Sequence, residues 1–321
     1  MTEFLTGMTI LPQKPVVVII TGLPGSGKSK HALAWVAENP KFRERINYDE
    51  LRLELYGPDW TFNRKDEAAM KVEAVARGRE ALKAGRSIIV DNTNLTEGAR
   101  APWLRLAREH GVEVEIVEID TPIATCIERD RKREGTARVG RAVIERFALF
   151  NGFIDWTDRA LYPHETFVVV DIDGTLANVD HRLHFLTAPE HATDKPFKKD
   201  WDGFFAKASE DTPITPIFNL VRELSYFHNV LVVSARGVDA CGIATEDWLD
   251  RHWPSLDPAR RYVHLFLRAW GDKRDDFEVK EEILELLPKD RIAYVLDDRD
   301  QAVEMWRKAG LTCLQVAKGD F

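Results

Sequence analysis

The run Gly22-Leu23-Pro24-Gly25-Ser26-Gly27-Lys28-Ser29 fits the pattern G-x-x-x-x-G-K-S. Glycines at Gly22, Gly25 and Gly27, with Ser26 between them, let backbone N–H groups curl around the β- and γ-phosphates of a nucleotide. Lys28 would neutralise those phosphates and Ser29 would ligate Mg²⁺. Such a loop names ATP as a phosphoryl donor and leaves the acceptor open. Asp49 follows, in Ile46-Asn47-Tyr48-Asp49-Glu50-Leu51-Arg52. It is spaced to take a proton from an acceptor hydroxyl, with Arg52 one helical turn on to hold a phosphate. The same position suits a helix N-cap, so both roles stand open. Asp91, opening Asp91-Asn92-Thr93-Asn94, suits a water-mediated Mg²⁺ contact, a substrate contact or a turn. Farther on, Arg129-Asp130-Arg131-Lys132-Arg133, with Arg138 and Arg141 beyond, reads as a solvated basic face or as an arginine lid. In a phosphoryl transferase, such a lid stabilises charge on the transferring group.

These side chains need a frame, and the pattern supplies one. Val16–Thr21, Arg86–Asp91 and Val112–Ile119 are short, apolar or β-branched, and predict strands. Between them Lys28–Glu38, Arg64–Ala84 and Glu97–His110 predict helices. In the long middle one, Val72, Val75, Ala76 and Leu82 fall near one face, and Gly85 follows as a C′ residue. Strand and helix alternate, which implies a parallel sheet with helices on both faces. In open sheets of this kind the carboxyl ends of the strands face the ligand crevice. Tyr162-Pro163-His164 interrupts the pattern, and alternation restarts with strand Phe167–Val170, helix Ile217–Phe227, strand Val230–Val233, helix Phe277–Leu287, strand Ile292–Leu296 and helix Asp300–Ala309. The polar, aromatic-rich stretch Asn178–Asp211 fits a small inserted cap. The expectation is two α/β domains, residues 1–161 and 162–321.

The second strand set opens on Asp171-Ile172-Asp173-Gly174-Thr175-Leu176. Period-two geometry aims Asp171 and Asp173 alike at the strand's end. This D-x-D-G-T-L motif after an apolar strand resembles the haloacid-dehalogenase phosphatase superfamily. The resemblance implies that Asp171 attacks phosphorus while Asp173 protonates the leaving group and later deprotonates water. It further implies that Ser234 binds phosphate and that Lys280 pairs with the nucleophile and the phosphate. Asp297 and Asp298 would hold Mg²⁺ alongside Asp171 and Asp173.

Composition narrows the setting. The chain has 321 residues, 44% hydrophobic and 31% charged, as an ordinary globular protein does. Cys126, Cys241 and Cys313 lie far apart and form no C-x-x-C, so neither a disulfide framework nor a zinc site is expected. A reducing cytoplasm fits them. The longest apolar run, Pro15 to Ile20, is too short to cross a bilayer, and Met1 to Lys14 lacks a signal-peptide layout. A net charge of −8 argues against a long electrostatic track along nucleic acid, while leaving room for a short basic pocket at a strand end.

A kinase and a phosphatase on one chain pose a problem, since acting on one hydroxyl they would only consume ATP. A reciprocal regulator of a small metabolite escapes it by switching its domains in opposition. An enzyme acting on two positions, a 5′-hydroxyl and a 3′-phosphate of a broken strand, escapes it by chemistry. An idle nucleotide sensor is disfavoured by the full set of nucleophile, base and metal positions. The segments GLPGSGKS, DNTNL, DIDGTLA, GDKRDDFEVKEEI (271–283) and DDRDQAVEMWRKAGLTCLQVAKGDF resemble the bacteriophage-type polynucleotide kinase–phosphatases over nearly the whole chain. That resemblance implies a P-loop kinase domain that phosphorylates 5′-OH ends of RNA or DNA, with Asp49 as base, Arg52 on the acceptor-side phosphate and Arg133 clamping the transferred group. It puts Asp91 on the substrate side. Glu134 adds a residue after Arg133, so Arg129 and Arg138 are alternative clamps. The second domain would remove 3′-phosphate and open 2′,3′-cyclic phosphate. Arg182, Arg236 and Asp276 would contact or organise the 3′-end, with Phe277 standing where an acidic residue is expected. A homotetramer, the cytoplasm of a host cell were the chain phage-encoded, and a nucleic-acid ligase acting downstream complete the expectation.

Overall fold

The computed structural model describes residues 14–58, 60–61, 63–188, 197–253 and 262–319. The leading segment 1–13, the middle of the expected cap and the last two residues lie outside them. The chain divides into two compact units, Met1–Arg129 and Asp130–Phe321. Each is an α/β unit built on a parallel sheet.

In the first unit, β1 (Val16–Thr21) leads into α1 (Lys28–Glu38), β2 (Arg43–Asn47), α2 (Tyr48–Tyr56), α3 (Arg64–Lys83), β3 (Ser87–Asp91), α4 (Glu97–His110), β4 (Glu113–Glu118) and α5 (Ile123–Arg131), whose last two residues belong to the second unit. The four strands pair in the order β2-β3-β1-β4, all parallel. Five of the six β1 residues are buried, as a central strand covered on both faces requires. Helix starts are written in the sequence: Asn47, Asn63 and Thr96 accept from the backbone N–H three residues on. Acidic residues fill the first turns of α2, α3 and α4, where the helix dipole favours them.

One expectation fails in α3. Val72 is 71% exposed, and the buried face is Met70, Ala74, Gly78, Ala81 and Leu82. The reason is close approach rather than apolar volume. A Cβ on Gly78 would stand 2.9 Å from the Trp103 ring and 3.2 Å from Ile88 and Leu106, so a glycine carries the contact with α4.

The second unit opens with α6 (Arg141–Phe150) and β5 (Phe167–Val170). Next, β6 (Ala177–Asn178) and β7 (Thr212–Pro213) pair antiparallel around an insertion holding two short 3₁₀ turns and α7 (Trp201–Ala206). The chain continues through α8 (Thr215–Leu224), β8 (Asn229–Gly237), α9 (Val238–His252), β9 (Tyr262–Arg268), α10 (Asp276–Leu284), β10 (Ile292–Arg299), α11 (Asp300–Lys308) and β11 (Cys313–Gly319). The sheet order is β11-β10-β5-β8-β9, again parallel. Alternation along β5 splits the core in two: Phe167 and Val169 pack with α10 and α11, Val168 and Val170 with α8 and α9.

The sequence expects a break at residues 161/162, but this stretch is not a linker. Tyr162 is fully buried, in one cluster with Leu149 of α6, and its hydroxyl shares a 2.6 Å hydrogen bond with His264 Nε2. Glu145 of α6 accepts from the backbone N–H of Leu265 on β9 (2.7 Å). Residues 141–162 therefore pack with the second unit. Among the described residues no helix is long and apolar enough to cross a membrane.

Candidate active sites

The first site sits where β1 runs into α1. Gly22, Gly25 and Gly27 have φ of 147°, 83° and 107°. Backbone turned this way is open to glycine, and a Cβ on Gly25 would lie 2.4 Å from the Cys126 carbonyl oxygen. Gly25→Ala is therefore expected to weaken ATP binding by about tenfold or more, since the left-handed conformation alone costs about 1–2 kcal/mol. A nucleotide titration checks this, and an unchanged affinity counts against the loop needing its present shape.

Lys28 is 8% exposed and its ammonium donates to the Leu23 carbonyl at 2.7 Å, inside the loop. Ser26 Oγ is buried with no hydrogen-bond partner, while Ser29 is exposed beside it. A buried hydroxyl without a partner, next to a cation at a helix N-terminus, fits the phosphates of a nucleotide.

Asp49 is the second residue of α2, just past the end of β2. It does not cap the helix: Asn47 does, its Oδ1 accepting from Glu50 N at 2.9 Å. The Asp49 side chain is 89% exposed, and its one described contact is Arg52 Nη1 at 2.5 Å. Arg52 also forks onto Glu67 through Nε (2.9 Å) and Nη2 (3.0 Å), a bidentate pair absent from the motif reading.

Asp91 is 1% exposed and meets Arg45 through Nε (2.8 Å) and Nη2 (2.6 Å), with Asn47 Nδ2 at 3.2 Å. Its charge is matched within the protein, so the structure gives it a frame-holding place between β2 and β3. Asn94, at φ 46°, donates to the carbonyls of Ile20 and Val90 and ties β1 to β3. Of the three candidate clamps, Arg129 touches the loop, donating to Ser26 O at 3.0 Å. Arg133 meets Ala137 O and Asp130, and Arg138 pairs with Glu246 and Asp247. Glu246, 1% exposed, also holds Arg131 at 2.8 Å.

The second site is built at the carboxyl ends of β5, β8 and β10. Asp171, Asp297 and Asp298 bring carboxylate oxygens within 4.8 Å of one another, all buried. Lys280 Nζ lies 3.1 Å from Asp171 and 2.7 Å from Asp297, whose Oδ2 also accepts from Trp306 Nε1 at 3.0 Å. Asp298 accepts from Thr175 Oγ1 at 3.3 Å. Gly174, at φ 78°, lets it approach, since a Cβ there would stand 2.2 Å from Asp298 Oδ2.

The Asp173 side chain, expected among the metal ligands, stands apart from that trio. Its Oδ1 accepts from Arg182 Nη2 (2.6 Å) and from Arg236 Nε (2.9 Å) and Nη2 (2.5 Å). Behind the two arginines lies Asp211, which sequence reasoning missed as a site residue. It accepts from Arg182 at 2.7 Å through both oxygens and from Arg236 at 2.5 Å. Ser234 is buried and lines the same cavity of about 1030 Å³ as Asp171, Asp173 and Lys280. Asp276, at the start of α10, is tied to Arg268 (2.7 Å) and to Arg299.

The electrostatics follow from this geometry. Burial, only partly offset by Lys280, holds the Asp171 carboxyl well above the ordinary range, and the neighbouring aspartates add to the shift. Burial beside Asp297 pushes Asp298 up to about 6. Asp173 goes the other way: burial opposes ionisation, yet Arg236 and Arg182 hold it down to about 2. Three buried carboxylates with oxygens within 4.8 Å of one another, and Lys280 on one side, fit a small hard cation with oxygen ligands, as Mg²⁺ is.

Comparison with known proteins agrees with the two-site reading. Residues 165–321 match the family described as polynucleotide kinase PNKP phosphatase domain, and residues 17–149 an AAA domain. A protein of Autographa californica nuclear polyhedrosis virus, named as a bifunctional polynucleotide kinase/RNA ligase, is 23% identical over 92% of this chain. A Schizosaccharomyces pombe protein, named bifunctional polynucleotide phosphatase/kinase, is 27% identical over 33% of it. The chain spans 42% and 21% of the lengths of these relatives. Among solved structures, a chain of the Pnkp1/Rnl/Hen1 RNA repair complex aligns with 98% of this chain and 100% of its own length, at 23% identity and a TM-score of 0.38. Residues 165–321 thus match a phosphatase domain of the polynucleotide kinase type, and the P-loop stretch before them matches a domain of AAA type.

Proposed function

We propose that this chain heals nucleic-acid ends, transferring the γ-phosphoryl group of ATP to a 5′-hydroxyl and removing 3′-phosphate, or opening 2′,3′-cyclic phosphate, through an aspartyl-phosphate. The observation that carries the reading is the buried set of Asp171, Lys280, Asp297 and Asp298 beside an arginine-clamped Asp173, in a domain matching the polynucleotide kinase phosphatases. The reciprocal metabolite reading has no comparable observation behind it.

In the phosphatase, an Asp171 oxygen attacks phosphorus and the bond to the 3′-oxygen breaks. Asp173 supplies the proton to that oxygen, then takes one from the water that cleaves the aspartyl-phosphate. Arg182 and Arg236, both buried, hold the Asp173 carboxyl down to about 2, and the negative charge of a phosphate arriving beside it raises it toward the range where it carries a proton. Lys280 keeps the nucleophile oriented. Mg²⁺ held by Asp171, Asp297 and Asp298 would neutralise phosphoryl oxygens.

In the kinase, the P-loop backbone, Ser26 and Lys28 hold the ATP phosphates, Ser29 lies where the associated Mg²⁺ would be ligated, and Arg129 is the clamp best supported by its place on the loop. Asp49 acts as base, and Arg52, steadied by Glu67, faces the acceptor-side phosphate. A nucleic-acid ligase acting downstream, a homotetramer and a cytoplasmic setting belong to the same proposal. The decisive experiment incubates the protein with labelled ATP and an oligonucleotide bearing 5′-OH and 3′-phosphate. Label gained at the 5′ end and phosphate lost at the 3′ end are expected. Failure at both ends, with a small phosphate ester still hydrolysed, overturns the reading.

A further inference from the structure

We propose that Trp201, backed by Phe205, is a stacking platform for a nucleobase at the 3′ end of the strand being dephosphorylated. The proposal rests on the nucleic-acid reading above and adds a subsite to it. Trp201 and Phe205 line the cavity of about 1030 Å³ that also contains Asp171 and Asp173. Trp201 keeps 40% of its surface exposed there, although an indole gains much from burial.

Its orientation is fixed from behind. The ring lies nearly parallel to Phe205 (centroids 5.9 Å apart, 24°) and meets Phe204 edge-on (5.8 Å, 85°). Phe204 is 1% exposed, and the Arg182 guanidinium sits 3.9 Å from its ring centroid. That same guanidinium donates to Asp173 at 2.6 Å. Packed contacts thus run without a break from the exposed indole to the acid–base carboxylate, which fixes the platform relative to the reacting phosphate.

One cation stands beside the ring, Lys199 Nζ at 5.6 Å from the Trp201 centroid, and the cavity lining around it carries both signs, Lys198 and Lys199 with Asp200 and Asp202. An aromatic face is how proteins grip single strands without reading sequence, since every base offers a π-face. It also answers the difficulty posed by a net charge of −8. Stacking supplies affinity at the strand end that does not depend on charge.

The test compares a 3′-phosphorylated DNA oligonucleotide with the same strand made abasic at its last two nucleotides. Wild-type protein is expected to favour the intact strand by about 5- to 100-fold in kcat/KM, mostly through KM. Trp201→Ala should erase that preference by bringing the intact strand down to the abasic rate. Its unchanged rate on the abasic strand reports an intact fold and catalytic centre. Trp201→Phe should keep most of the preference. Equal use of both strands by wild type, or equal loss on both in Trp201→Ala, overturns the platform. If wild type uses neither strand yet hydrolyses glycerol phosphate, the nucleic-acid reading itself falls, and the platform with it.

Discussion

Asp171→Asn is expected to lower 3′-dephosphorylation by about 10⁴-fold or more while leaving 5′-phosphorylation at the wild-type rate, and Lys28→Ala to do the reverse. Removing a covalent nucleophile takes away the step on which the remaining groups act, so the loss approaches that of the whole site. Asparagine fills the same space, and Lys280 keeps Asp297 as a partner at 2.7 Å, so no buried cation is stranded. The substitution also relieves crowding among Asp171, Asp297 and Asp298, and the melting temperature should hold or rise. In Lys28→Ala the ammonium that would meet the ATP phosphates is gone, at a cost of about 10²–10³-fold or more. Reading both ends of one doubly marked oligonucleotide separates the activities in a single experiment. Loss of both from either change, with melting unchanged, would sink the idea of two complete sites.

Much of this arrangement is legible in the sequence because its signals are local. A β-branched run into G-x-x-x-x-G-K-S, or into D-x-D-G-T-L, encodes strand, turn and chemistry within about a dozen residues. Helix α4 and strand β5 fall at their expected ends for the same reason. What was missed is long-range. Asp211 meets Arg182 and Arg236 from a loop whose sequence, Glu210-Asp211-Thr212, carries no motif. Arg45 reaches Asp91 only because β2 and β3 lie in register, with Asn47 opposite Asp91. Tyr162 reads as a break because proline and histidine follow it, yet its ring is core and its hydroxyl partner is 102 residues away. The error in α3 has another origin. Periodicity weighted by apolar size favours Val72, whereas contact with Trp103 selects for smallness at Gly78.

Asp49→Asn should lower the kinase kcat by about 10²–10⁴-fold with ATP binding and melting temperature nearly unchanged. The structure sharpens this test by taking the alternative role away from Asp49. Capping of α2 belongs to Asn47, which binds Glu50 N at 2.9 Å, so stability has no reason to follow the Asp49 side chain. That side chain is 89% exposed, and an ion pair so exposed contributes little to folding. Arg52 keeps its fork on Glu67 when Asp49 becomes neutral, and so stays where an acceptor-side phosphate would meet it. Only the proton acceptor is removed. A general base should therefore show as a loss in kcat with little change in KM for the oligonucleotide, since acceptor binding survives. Asp49→Glu, which restores a carboxylate at a shifted position, should recover part of the rate. A near-wild-type kcat in Asp49→Asn would mean that the 5′-hydroxyl loses its proton to another group, and Asp49 would then be only the outer partner of Arg52.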